Sequence, residues 1–237
     1  MPDLPLIHWD VPGPYTVAFS TRVGGVSEGR YASLNLGRAT DDDPASVTEN
    51  RRRLCAAVGA DPERLAMGYQ QHSTTVNRAE AGVRNVPGDG LWSDVPGQPM
   101  LKLCADCLPV AVARVDGGDP ALAVAHAGWR GLLDGILEAA VAAVGGNPVA
   151  IVGPGIGPCC YEVGQEVAEP FVSRFGGNVV RGRNVDLWTA AERALRAAGC
   201  ARVERVDLCT ACRPELFFSH RRDEGLTGRQ GVIGLVA

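Results

Sequence analysis

Five short apolar runs, at residues 65–69, 74–78, 100–104, 109–115 and 121–125, crowd the middle of this 237-residue chain. Strands so closely spaced pair antiparallel or in a mixed sheet, because a regular parallel arrangement needs a helical crossover between each pair. Residues 16–20, 149–152 and 230–236 read as three more strands, the last placed to close a sheet.

Helical segments stand around them. Asp43 followed by Pro44 is an N-cap with proline in the first turn, and that helix is expected to run to Val58 and stop at Gly59. Further helices are expected over 129–144, ending at Gly145-Gly146, over 163–175 and over 186–198. Residues 85–99, rich in Gly, Pro and Asp, read as a surface loop. No repeat or linker interrupts the chain, and 46% apolar residues suffice for a large core. The expected organisation is therefore one mixed α/β domain over residues 1–237.

Composition removes several functions. Lys and Arg number 23 against 27 Asp and Glu, a formal net charge of −4, which makes no electrostatic case for a nucleic-acid partner. No apolar stretch approaches the roughly 20 residues of a membrane span, so no membrane partner is expected. Met1-Pro2-Asp3-Leu4-Pro5 carries neither a basic region nor an apolar run, so the cytoplasm is the expected compartment. There the eight cysteines stay reduced, and metal binding or catalysis outranks disulfides.

Three islands then stand out: Gln70-Gln71-His72, Ala105-Asp106-Cys107, and His126 with the Ala127-Gly128-Trp129-Arg130-Gly131 that follows. They hold half of the four histidines and one cysteine, each where a strand is expected to end. Two imidazoles and a thiolate make a three-ligand zinc set with one coordination position left for water or substrate. A rival metal reading pairs Cys104-x-x-Cys107 with Cys209-x-x-Cys212 as a four-cysteine structural zinc. Roughly a hundred residues separate those pairs, against the usual 15–20. Cys55, Cys104 and Cys200 read as small core residues, while adjacent Cys159 and Cys160 either line a site or simply pack.

Longer motifs surround the islands. They include Phe19-Ser20-Thr21-Arg22-Val23-Gly24-Gly25-Val26-Ser27, Ala105 through Val110, and Gly153-Pro154-Gly155-Ile156-Gly157-Pro158-Cys159-Cys160-Tyr161-Glu162-Val163-Gly164. Asp207-Leu208-Cys209-Thr210, Phe218-Ser219-His220-Arg221-Arg222 and Thr227-Gly228-Arg229 complete them. With these in order along nearly the whole chain, it resembles the family called laccase-domain, polyphenol-oxidase-like or peptidoglycan-editing-factor proteins. One position departs: the family usually has glycine after the first metal histidine, where this chain has Ser73.

The resemblance implies a mixed-sheet, three-layer α/β sandwich of the laccase-domain (cytotoxic-necrotising-factor-like) type. It implies a metal held by His72, Cys107 and His126, with zinc as the ion and copper as the alternative, and catalysis at those three residues. It also implies work on purine nucleosides: phosphorolysis of adenosine- or inosine-type substrates, and deamination of adenosine. The partners are then a small-molecule nucleoside and phosphate.

Zinc lowers the pKa of its water toward about 7 and so delivers hydroxide, as deamination requires. Zinc deaminases pair it with a glutamate. No glutamate stands in these islands, and Asp106 is either the acid–base group or a loop-fixing residue. Arg22 and Arg130 are candidates for phosphate, since a guanidinium fork matches it, or else they form structural ion pairs. Gly155 either brings backbone amides to the substrate or serves a tight turn. Trp129, Tyr161, Glu162 and His220 read as packing or exposed residues. A four-copper oxidase needs far more histidines than His8, His72, His126 and His220. A single copper at the trio, as a phenol oxidase, stays open, as does amide hydrolysis on peptidoglycan precursors.

Overall fold

The computed structural model describes residues 4–237. Two six-stranded mixed sheets carry the chain. The first runs, in spatial order, β1 (Ile7–His8), β2 (Tyr15–Phe19), β14 (Gln230–Val236), β7 (Met100–Cys104), β3 (Ala66–Tyr69) and β5 (Val86–Pro87). The second runs β13 (Arg202–Arg205), β10 (Pro148–Val152), β8 (Leu108–Arg114), β9 (Leu122–Ala127), β6 (Gly90–Ser93) and β4 (Val76–Arg78). β11 (Val180–Arg181) and β12 (Asn184–Val185) form a separate antiparallel pair.

β8 and β9 are apolar on both faces over most of their length because their sheet is covered on both faces. Along β8, Ala111 and Ala113 point into the core between the sheets, where they meet Val17, Phe19, Met100 and Val232. Val110 and Val112 point the other way, onto a helical layer. β9 divides likewise, with Leu122 and Val124 facing the inter-sheet core and Ala123 and Ala125 the helices. Such near-continuous apolar runs mark strands buried on both faces. Gly234 of β14 marks a close approach of the sheets, since a Cβ there would lie 2.9 Å from Leu122 Cδ2.

Helices α2 (Trp129–Asp134), α3 (Ile136–Val144), α4 (Gln165–Phe175) and α5 (Leu187–Ala197) cover the second sheet. Helix α1 (Pro44–Ala57) covers the outer face of the first, with Leu54 and Cys55 against Ala18, Leu101 and Ile233. α1 thus adds an outer layer to the arrangement the resemblance implies. Among the described residues no helix is long and apolar enough to cross a membrane.

α1 begins as expected, with the Asp43 carboxylate accepting from the amides of Ala45 and Ser46. The single helix expected over 129–144 is instead two. Gly135, at φ 107°, breaks it by taking the left-handed conformation that closes α2 and opens α3. The expected loop over 85–99 is also corrected. It holds β5 and β6, with Asp89, Leu91 and Ser93 buried, because Gly88 and Gly90 let the backbone pass under its neighbours. A Cβ on Gly90 would sit 2.7 Å from Val76 Cγ2.

A candidate metal centre and its cavity

His72, Cys107 and His126 meet. One donor atom of each lies within 4.8 Å of the other two, drawn from three separate chain segments. Cys107 occupies the short link between β7 and β8, His126 lies near the end of β9, and His72 follows β3. Gln70 fixes the last of these segments, extending strand pairing with its side chain. Its amide donates to the Leu103 carbonyl at 2.7 Å and its Oε1 accepts from the Leu103 amide at 2.9 Å. His72 and Asp106 both take positive φ, 60° and 88°, values that a non-glycine residue holds only when its surroundings enforce them.

For His72 the enforcing group is Asp89, which is fully buried. Its carboxylate accepts from the amides of Gln71, His72 and Ser73 at 3.1, 3.0 and 2.7 Å. It also accepts the Ser73 hydroxyl at 2.9 Å, so the serine that departs from the family's usual glycine turns its side chain onto Asp89. The remaining partner is His126 Nδ1, 2.8 Å from Oδ1. One carboxylate therefore shapes the His72 loop and orients the second imidazole, leaving His126 Nε2 for an ion, as carboxylate–histidine–metal triads do. Beneath this loop fully buried Lys102 donates to the Gly88 carbonyl at 2.6 Å, and burial pulls its ammonium down to about 8 against the attraction of Asp89.

The trio's electrostatics favour an anionic sulfur. Burial alone would push the Cys107 thiol up, but the charge and hydrogen bonds of His126 and His72 outweigh it and bring it down to about 6. Burial alone would pull His126 down, while Cys107 and Asp89 together raise it to about 9. Burial also works against the Asp89 carboxylate, yet His126 and the amides of Ser73 and Gln71 hold it well below the usual carboxylate range. Thiolate and imidazolium thus form a buried ion pair at neutral pH, and an ion bound there would take the place of the His126 Nε2 proton. The 3.8 Å between Cys107 Sγ and His72 Nε2 approaches the ~3.6 Å that tetrahedral zinc bonds of 2.3 and about 2.05 Å would span. The backbone crowds the same point: a Cβ on Gly128 would lie 2.3 Å from His72 Cδ2 and 3.2 Å from Cys107 Sγ.

The centre opens into a cavity of about 880 Å³, within the range of small-molecule sites. Its lining has five arginines, Arg38, Arg51, Arg84, Arg221 and Arg229, against a single carboxylate, Asp106. Burial and the like charges of Arg38 and Arg84 pull Arg51 down to about 10, so three guanidiniums share one region. Tyr69, 65% exposed, stands on the lining with Trp129, Tyr161 and His220.

Several expected site residues lie elsewhere. Arg22 donates to the carbonyls of Ala32 and Pro214 at 2.7 and 3.0 Å and stacks over Phe218, off the cavity lining. Arg130 is exposed and folds over the Trp129 ring, 4.4 Å from its centroid, also off the lining. Gly155 serves a close backbone approach: a Cβ there would meet Leu108 Cδ2 at 2.5 Å and the Asp106 carbonyl at 2.9 Å. Asp106 lines the cavity, but both of its oxygens are engaged, by the Thr210 hydroxyl at 2.6 Å and the Arg221 amide at 2.7 Å. That geometry favours the loop-fixing role. The proposed pairing of Cys104 with Cys209 and Cys212 does not form: Cys104 is buried, while Cys209 and Cys212 gather with Cys159 and Cys160.

Sequence reasoning missed Asp89, Lys102, Tyr69 and the arginines of the cavity. Two signals were present: a lysine interrupting the apolar run of β7, and an aspartate between Gly88 and Gly90.

Relatives share this architecture. A purine nucleoside phosphorylase of Pseudomonas aeruginosa is 39% identical over 93% of each chain. One of Deinococcus radiodurans is 39% identical over 99% of this chain and 94% of its own. Among solved structures, protein NMB0706 of Neisseria meningitidis superposes with a TM-score of 0.87 at 33% identity, covering 99% of both chains. YlmD from Geobacillus stearothermophilus gives 0.85 at 29% identity, over 98% of this chain and 96% of its own. The model of the family described as multi-copper polyphenol oxidoreductase laccase matches from Thr16 in β2 to Val236 at the end of β14. A match that spans both sheets, beside relatives this similar over almost their full length, makes the chain a member of that family.

Proposed function

We propose that this chain is a zinc-dependent purine nucleoside phosphorylase that also deaminates adenosine. The observation that carries the reading is the convergence of His72, Cys107 and His126 on a cavity lined by five arginines and one already engaged carboxylate. The names of the relatives in Pseudomonas aeruginosa and Deinococcus radiodurans support it.

In this reading Arg38 and Arg84 hold phosphate, and Arg51, whose Nε and Nη2 donate to the Leu36 carbonyl at 2.9 and 2.7 Å, adds its charge beside them. Tyr69 and Trp129 offer ring faces to the purine. Asp89 orients His126 and holds the His72 loop, and Cys107 brings a thiolate, so the donor set suits zinc once His126 gives up its Nε2 proton. A zinc ion held by the trio supplies Lewis acidity and water of lowered pKa. Phosphorolysis forms a bond from a phosphate oxygen to the ribose C1′ and breaks the C1′–N bond to the base. The departing purine takes a proton, and in this reading His220, an imidazole of the cavity lining, moves it.

The test is incubation with adenosine, with and without inorganic phosphate, followed by separation of adenine, inosine and hypoxanthine. Adenine and ribose phosphate formed only with phosphate, and inosine formed without it, are the expected products. Absence of all of them from zinc-loaded protein would overturn the reading.

A further inference from the structure

We propose a second, closed metal site, formed by Cys159, Cys160, Cys209 and Cys212, that takes zinc as a structural ion. The four sulfurs lie within 4.8 Å of one another, with Cys212 Sγ 3.5 Å from Cys159 Sγ and 3.3 Å from Cys160 Sγ. None of these sulfurs is bonded to another, as a disulfide of about 2.05 Å would require. Around a single zinc with bonds of 2.3 Å, tetrahedral sulfurs stand ~3.8 Å apart. The gathered thiols already occupy that scale.

Topology brings them together. β10 and β13 are parallel neighbours, so the loops that follow them leave the sheet side by side. Gly155 pairs with Cys209 across those loops, and the Thr210 amide donates to the Gly155 carbonyl at 3.1 Å. The C-x-x-C turn curls as metal-binding turns do. The Gly157 amide donates to Cys209 Sγ at 3.2 Å, and the Cys212 amide also donates to that sulfur. An all-sulfur tetrahedral set selects zinc or an iron–sulfur centre over oxygen-seeking cations. With four protein ligands it keeps no position for substrate, which separates it in kind from the three-ligand centre.

The ion would brace one wall of the cavity. Thr210, between the paired cysteines, donates to Asp106, the neighbour of Cys107. Arg221 Nη1 donates to the carbonyl of Glu162 at 2.8 Å and approaches that of Cys160 at 3.4 Å.

The proposal does not depend on the nucleoside reading, and its test keeps the two apart. Full-length protein is purified under reducing conditions, both unaltered and as the double variant Cys107→Ala, His126→Ala. Zinc is counted, and the ion is then exchanged for cobalt(II). The double variant is expected to keep one equivalent of zinc and, with cobalt, to show the intense near-ultraviolet charge-transfer bands of a tetrathiolate. Cys159→Ser, Cys212→Ser is expected to lose those bands and that equivalent. Should that variant fail to fold, the count and spectrum of Cys107→Ala, His126→Ala decide alone. A double variant free of zinc, or non-reduced peptides joined through these cysteines, would overturn the proposal.

Discussion

Asp89 Oδ1 lies 2.8 Å from His126 Nδ1, and the same carboxylate gathers three successive amides around His72. Two of the three candidate metal ligands are thus held by one buried side chain from the bend that leads into β6, in a segment the sequence presents as a loop. Asp89→Asn, which keeps the shape and removes the charge, is expected to weaken zinc binding about 10- to 100-fold, measured by competition with a coloured chelator.

Removing the Asp89 carboxylate outright tests stability in metal-stripped protein. Breaking a buried, charge-assisted network of this kind costs about 3–5 kcal/mol when the partner is removed outright, as in Asp89→Ala. A carboxyl held below its ordinary 3.8 contributes stability that is present above that value and drains away as pH falls through the depressed one. Denaturant titrations should therefore show the full gap between Asp89→Ala and the unaltered chain at pH 7, shrinking in strong acid. A gap that widens on acidification would contradict the assignment.

Cys107 should behave as a low-pKa thiol once the metal is removed. With its thiol near 6 rather than the ordinary 9, alkylation of the Cys107 peptide by iodoacetamide is expected to rise with a midpoint near pH 6. In His126→Ala the midpoint should move up, because the principal attractive charge is gone. Peptide-resolved mass spectrometry separates this cysteine from the other seven.

The arginines of the cavity divide from those the motifs suggested. Arg84→Ala and Arg38→Ala are expected to raise KM for phosphate about tenfold or more and to leave KM for nucleoside nearly unchanged, roughly the loss of one charge-assisted contact each. Arg130→Ala should change neither constant. Equal effects on both substrates would place phosphate elsewhere.

Gly128→Ala is a steric probe of the centre. Gly128 has an ordinary φ of −71°, so the substitution strains no backbone, but its Cβ would lie 2.3 Å from His72 Cδ2. Loss of zinc with an intact far-ultraviolet spectrum is expected. Full zinc occupancy would show that the His72 ring stands elsewhere in solution.

How much of this was legible in the sequence follows from the range of each signal. α1 was readable because its start is local, an aspartate bonding amides two and three residues on. β7 and β14 were readable at their observed bounds because a predominantly apolar run survives any change of partner. The split at Gly135 was hidden because a glycine within an apolar helical pattern can continue or end the helix, and only the packing of α2 and α3 decides. β6 and Asp89 were hidden because Gly, Pro and Asp mark loops on average, while here they admit a tightly spaced interior strand. The three candidate ligands were legible as residue types at or just beyond strand ends. The arginines were not: Arg22 and Arg130 stand in conspicuous motifs but lie off the cavity, whereas Arg38, Arg51 and Arg84 meet on its lining only through the tertiary fold.

The central claim is that one ion sits among His72, Cys107 and His126 with room left for a fourth ligand. Anomalous diffraction from crystals of zinc-loaded protein, recorded on both sides of the zinc edge, tests it most directly. The account requires a peak about 2.0–2.1 Å from His72 Nε2 and His126 Nε2 and about 2.3 Å from Cys107 Sγ, facing the cavity. A map with no peak there, or a peak enclosed by a fourth protein ligand, would contradict it.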